Sequence, residues 1–188
     1  MGERLLGEMS ALDLRLYEAV AGAQTPTLDG LFRQLSRVAD NSVLWFGVAG
    51  VIAVVGGPTG RRAAINGVAS IGLASAVANV VGKQVTHRRR PDRAGLGVPD
   101  ERHVPMPDST SFPSGHTASA FAFAEGVSSV APALGLPLRM AAVAVGYSRV
   151  HVGVHYPGDV IGGALIGLTA GEMAPKALNV LRRRWGLL

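Results

Sequence analysis

Three short blocks concentrate residues that can handle a phosphate: Lys83-x6-Arg90-Pro91, Pro113-Ser114-Gly115-His116 and Ser148-Arg149-x5-His155-x3-Asp159. Together they hold three cations, two histidines, a carboxylate and a glycine turn. A phosphate monoester carries roughly two negative charges, and its transfer needs positioned cations around the equatorial oxygens. Lys83, Arg90 and Arg149 can supply them, and a planar guanidinium suits bidentate contact. Ser114-Gly115-His116 follows Pro113 and opens an apolar run. Free N–H groups and the helix dipole there favour an anion, Gly115 lets the backbone come close, and the Ser114 hydroxyl adds a donor. His155 and Asp159 stand four residues apart, so the carboxylate can hold one imidazole nitrogen while the other presents its lone pair outward.

Each residue taken alone has a plainer use. Lys83 and Arg149 can be helix-end cations that snorkel. Arg88 and Arg89 read as a positive loop that sets topology or touches headgroups. His116 can cap a helix, and His155-Tyr156-Pro157-Gly158 can be a turn. Order and spacing outweigh those readings, because the blocks fix eleven residues at set offsets.

In that order and spacing the blocks resemble the signature of the type 2 phosphatidic acid phosphatase superfamily, the lipid phosphate phosphatases. The Arg/Ala/Gly-rich style resembles actinobacterial members of its bacterial integral-membrane branch. The resemblance implies His155 as nucleophile forming a phosphohistidine, Asp159 as its orienting partner, and His116 as the acid that protonates the leaving group and later activates water. It implies Lys83, Arg90, Ser114, Gly115 and Arg149 as the phosphate-binding set. The implied activity is metal-independent removal of a phosphate monoester or diphosphate from a membrane lipid. Polyprenyl diphosphate, a polyprenyl-phospho-sugar phosphate, phosphatidic acid and phosphatidylglycerol phosphate all present suitable headgroups. No cofactor is implied: three fixed cations take the place of a metal, and no His, Asp and Glu cluster has a convincing ligand spacing.

Those residues need elements to carry them. At 188 residues the chain fits a single domain. It is 48% hydrophobic and 16% charged, below the roughly 25% charge usual for soluble domains. Its 25 glycines, with many alanines, let helix backbones approach closely, as in membrane bundles. The expected fold is therefore all-α: a membrane bundle of about five spanning helices behind N-terminal amphipathic helices. Residues 1–40 form the amphipathic part, 41–175 the catalytic core and 176–188 a basic tail ending near the Arg182-Arg183-Arg184-Trp185 interface anchor. The apolar segments run over 42–57, 63–82, 113 to about 132, 136–147 and 159–173. The second is the best spanning candidate, and the shorter ones need tilt or local thinning of the bilayer. With alternating spans, all three blocks emerge on one membrane face.

Cysteine is absent, which excludes disulfides and thiolate metal sites. Net charge is +5, but the arginines lie between apolar runs rather than on one face with interleaved aromatics. Anionic headgroups and phosphate esters are the expected partners, and nucleic acid is not. The first ten residues lack the pattern of a secretory signal. The expected location is the bacterial cytoplasmic membrane, with charge favouring neither orientation once the three block cations are set aside. A loop over 87–112, rich in charge and proline, is expected to be functional or mobile. Glu125 is an acid inside an apolar span, which is expensive without a partner. Asn79, one turn before Lys83, is placed to position that lysine. Three readings compete: a soluble Ala-rich helical protein, a vanadate-binding haloperoxidase built on the same blocks, and a lipid-phosphate binder or transporter without catalysis. The last would not need the His155/Asp159 pair.

Overall fold

A computed structural model describes the backbone of residues 2–84 and 87–185 and the side chains of 7–80 and 87–185. Every regular element among the described residues is helical: α1 (Gly2–Ala21), α2 (Pro26–Val38), α3 (Val43–Val55), α4 (Gly57–Gln84), α5 (Gly115–Ser128), α6 (Gly135–His151) and α7 (Pro157–Arg184). Short 3-10 turns at Asp40–Ser42, Asp100–Arg102 and Pro132–Leu134 join them. The break expected at Thr25-Pro26-Thr27 separates α1 from α2. Pro26 at the first helical position costs no hydrogen bond there.

Small residues set the packing. Gly163, Gly167 and Gly171 recur every four residues on one face of α7, against α5. A Cβ at these positions would strike the Ser114 carbonyl, the Ala118 carbonyl and the Glu125 side chain respectively. Backbone therefore lies against backbone, the close approach that small-residue seams permit. Gly126 of α5 meets Asn66 and Ser70 of α4 in the same way. The apolar centre around Trp45, Ile71, Phe123, Val127 and Val145 joins α3, α4, α5 and α6, and the Trp45 and Phe123 rings lie 5.3 Å apart.

The outward faces are apolar too. Val51, Val54, Met140, Val143, Ile161 and Leu165 are each more than half exposed, a surface suited to hydrocarbon rather than water. By length and composition, residues Gly57–Val80 of α4 can cross a bilayer. The pair α2 and α3, bent by 63° at the intervening turn, passes the same test only if the two are joined into one span.

Helices α6 and α7 outrun the hydropathy that announces them. Their apolar runs end near Tyr147 and Met173, whereas the helices continue to His151 and Arg184. In α6 the reason is inward polarity: Ser148, Arg149 and His151 are buried in the bundle rather than marking its edge. In α7 the helix carries on past an internal Pro175.

The 87–112 loop is tied down. Arg102 is 1% exposed. It donates to the carbonyls of Val20, Ala21 and Ala23 at the end of α1 and to Asp29 of α2 at 2.9 Å. Asp29 also accepts from His151 at 2.9 Å. One guanidinium thus closes the open carbonyl end of α1 and straps the loop to two helices and the end of α6. Glu125 has its partner within the bundle, accepting from Arg139 Nε at 3.0 Å and Nη2 at 2.6 Å.

Candidate active site

Four helix ends meet at one face: the C-terminal ends of α4 and α6 and the N-terminal ends of α5 and α7. Between them lies a cavity of about 660 Å³. Arg90, Gly115, His116 and His155 line it, with Asn79, Asn41 and Ser42 on the side of α4 and the α2–α3 turn.

His155 reaches the cavity through a glycine turn. α6 ends at His151, and Gly153 takes φ +75°, where a Cβ would also meet Arg93 and the Tyr17 hydroxyl. The N–H groups of Val154 and His155 then donate back to the Arg149 carbonyl at 3.1 and 3.3 Å. The chain doubles back and presents His155 beside the residue that carries the Arg149 cation. His155 is 2% exposed. Its Nε2 lies 3.2 Å from Arg90 Nη1, and its Nδ1 faces Asp159 Oδ2 at 3.5 Å. A guanidinium can only donate, so Nε2 is the lone-pair side and Nδ1 carries the proton.

Asp159 is fully buried and held by three donors. Arg88 donates to it at 2.9 Å, the Tyr156 N–H at 2.9 Å, and the Ser111 hydroxyl by a short bond. The Tyr156 bond also caps α7. One carboxylate therefore starts the helix and aims the imidazole.

Arg88 corrects the sequence reading, which left it as a topology-setting surface charge. It bridges Asp159 and Asp13 and lies 4.2 Å over the Tyr156 ring. Asp13 in turn accepts from the Gly158 N–H at 2.6 Å. Arg89, by contrast, is exposed. Ser111 also went unnoticed in the sequence. Neither residue carries a local signal, since each partners Asp159 across more than forty positions.

The phosphate-side residues are placed as follows. Arg90 is anchored by Ser109 and by the carbonyls of Thr110 and Val154, which fix its fork at the cavity wall. Arg149, 1% exposed, donates to Ser36 of α2 and lies 3.6 Å from Asp40. Ser114 caps α5: its oxygen accepts from the Thr117 N–H and hydroxyl, and its own N–H donates to the Asp159 carbonyl at 2.9 Å. Ser114 itself is fully buried, whereas Gly115 and His116, the first residues of α5, line the cavity. His116 Nε2 is 2.6 Å from Asp40 Oδ1. The Lys83 side chain lies outside the described residues. Asn79, read as its positioning partner, donates to the Ser75 carbonyl of its own helix at 2.9 Å.

Burial, followed by the nearby Arg90 and Arg149 cations, pushes His155 down from 6.5 to about 4, with the Asp159 contact opposing. The imidazole is neutral at pH 7, the form a nucleophile needs. The sign of the linkage follows. Between 6.5 and about 4 the unfolded chain binds the proton and the folded chain does not, so this contribution is complete above 6.5 and is lost as pH falls toward 4. The melting temperature in detergent is expected to decline over that window, and His155→Gln to flatten part of the decline. An unchanged slope in the variant would reject the buried neutral imidazole.

Comparison with known proteins identifies the family and the fold. Residues 63–181 match the PAP2 superfamily. Decaprenylphosphoryl-5-phosphoribose phosphatase of Mycobacterium tuberculosis is 33% identical over 142 residues, covering 75% of each chain. An undecaprenyl-diphosphatase of Sulfolobus acidocaldarius is 32% identical over 170 residues, 88% of this chain and 76% of its own. Among solved structures, Aquifex aeolicus LpxE superposes with a TM-score of 0.71 at 28% identity, over 88% of this chain and 95% of that one. The transmembrane PAP2-type phosphatidylglycerolphosphate phosphatase of Bacillus subtilis gives a TM-score of 0.70 at 22% identity, over 94% and 89%. The helical-bundle expectation holds in that fold. With the family match spanning most of the chain and relatives aligned over three quarters of their length, this protein belongs to the PAP2 superfamily.

Proposed function

We propose that this PAP2 member is an integral membrane phosphatase of the bacterial cytoplasmic membrane, removing phosphate from a polyprenyl-linked phosphate through a phosphohistidine. The observation that carries the reading is the His155 geometry: a buried neutral imidazole, Nδ1 toward a carboxylate held by three donors, Nε2 beside a cation. A binder needs cations but not an aimed nucleophile.

His155 Nε2 attacks phosphorus as Asp159 steadies the imidazolium that forms. The N–P bond forms while the P–O bond to the leaving group breaks, and His116 gives its proton to the departing oxygen. Arg90, Arg149, Lys83 and the α5 N-terminus with Ser114 and Gly115 hold the three equatorial oxygens as charge spreads over them. Water, deprotonated by His116, then attacks the phosphohistidine, and the N–P bond breaks to release inorganic phosphate. The lipid tail lies along the apolar outer faces of the helices, in the bilayer.

The test is phosphate release by detergent-purified protein, with EDTA present, from polyprenyl diphosphate, a polyprenyl-phospho-sugar phosphate, phosphatidic acid and phosphatidylglycerol phosphate. Release from a polyprenyl substrate, undiminished by EDTA, is expected. Silence across the panel from folded protein that binds vanadate would overturn the reading.

Arg88 enters as a positioning residue. Arg88→Gln is expected to lower kcat by about 10- to 100-fold with KM within about threefold, because it loosens Asp159 and hence the aim of His155 without touching phosphate. A rise in KM at constant kcat would instead make Arg88 a substrate contact.

A further inference from the structure

The mechanism leaves Asp40 unexplained. This carboxylate lies in the turn between α2 and α3, where its neighbours Ala39, Asn41 and Ser42 line the cavity. A single oxygen, Oδ1, lies 2.6 Å from His116 Nε2 and 3.6 Å from Arg149 Nη1. An oxygen placed between the proton donor and a phosphate-binding cation marks where the leaving-group oxygen of a substrate would lie. Asp40 is 48% exposed, so it can move aside into water, yet it stays within reach of whatever the departing oxygen is attached to.

The backbone is bent to put it there. Asn41 and Ser42 follow with φ +51° and +59°, two successive left-handed residues of which neither is glycine. Such positions cost free energy and persist where the surroundings demand them. Both also line the cavity, joined by Asn79 and by a second carboxylate, Asp108, which is exposed at the mouth. With Asp40 beside it, this part of the site offers two anions, two amides and a hydroxyl next to His116, the candidate proton donor.

We propose that Asp40 heads a leaving-group subsite that accepts a neutral, hydroxyl-bearing group such as a sugar and disfavours an anionic one. The inference rests on the phosphatase reading and deepens it. Sugar hydroxyls donate to Asp40 and exchange hydrogen bonds with Asn41, Ser42 and Asn79. A second phosphate at the same place, as in a diphosphate, meets Asp40 and Asp108 as like charges in a partly desolvated cavity. Asp40 therefore favours a phosphate monoester on a lipid-linked sugar over a lipid diphosphate.

The experiment measures kcat/KM of the wild type, Asp40→Asn and Asp40→Ser on two substrates with the same short polyprenyl tail. One is a polyprenyl-phospho-pentose phosphate and the other the polyprenyl diphosphate. The wild type is expected to prefer the pentose phosphate. Both variants are expected to shift the ratio toward the diphosphate by at least about tenfold, as loss of a nearby like charge predicts. A parallel fall on both substrates, with the ratio within about twofold, would mean that Asp40 only orients His116, and it would overturn the subsite while leaving the phosphatase intact. Wild-type protein inactive on both would sink the phosphatase reading and the subsite with it.

Discussion

His155→Ala is expected to leave less than about one part in 10⁴ of wild-type kcat, the usual scale for loss of a nucleophile from a group that acts as a unit. Phosphate binding should survive that loss. Arg90 does not depend on His155 for its place, since Ser109, Thr110 and Val154 hold the same guanidinium. The inhibition constant of inorganic phosphate is therefore expected to stay within about threefold of wild type, because the cations that bind it remain. Rapid quench with labelled substrate should trap label on the wild-type protein and none on His155→Ala. Turnover within tenfold of wild type would defeat the nucleophile assignment outright.

Arg149→Met is expected to lower kcat/KM by about 10³, because a fixed, buried cation beside the site acts mainly on the charge developing in the transition state. The fold should tolerate the change. Removing one member of a buried ion pair is severe when the partner is left buried and unpaired. Here the carboxylate partner, Asp40, is about half exposed and keeps its bond to His116. The loss at Ser36 is the pair of contacts to its hydroxyl and carbonyl, about 1–3 kcal/mol, and the buried guanidinium takes its own desolvation cost with it. Arg149→Lys should recover little, since an ammonium cannot reproduce a planar fork. Equal activity of Lys and Arg at this position, measured on the same substrate, would reject a bidentate role. A drop in melting temperature that accounts for all the lost activity would make Arg149 merely the tie between α6 and α2.

How much of this was legible follows from the range of each signal. Fixed offsets within a block are local. Gly115 and His116 open a helix because Ser114 caps it, and His155 stands just ahead of α7, whose first-turn Asp159 faces back toward it. The glycine spacing of α7 and the low charge likewise express themselves along the chain, so a helical bundle with three blocks at one face could be read directly. Boundaries were less legible where polarity pointed inward, as at Ser148, Arg149 and His151 of α6.

The partners that aim those residues are of another kind. Arg88 meets Asp159 across 71 positions, His116 meets Asp40 across 76, and Arg149 meets Ser36 across 113. No periodicity or short motif marks Arg88 apart from Arg89, or Asp40 apart from any loop aspartate. Arg102 looked like one more charge in a polar loop, yet it closes the end of α1 and fixes that loop in place. The candidate groups and their offsets are local, so the chain shows them before any fold is known. The charges that hold Asp159, His116 and Arg149 come from far along the chain, because those pairings arise when closure of the bundle brings distant segments within hydrogen-bond distance.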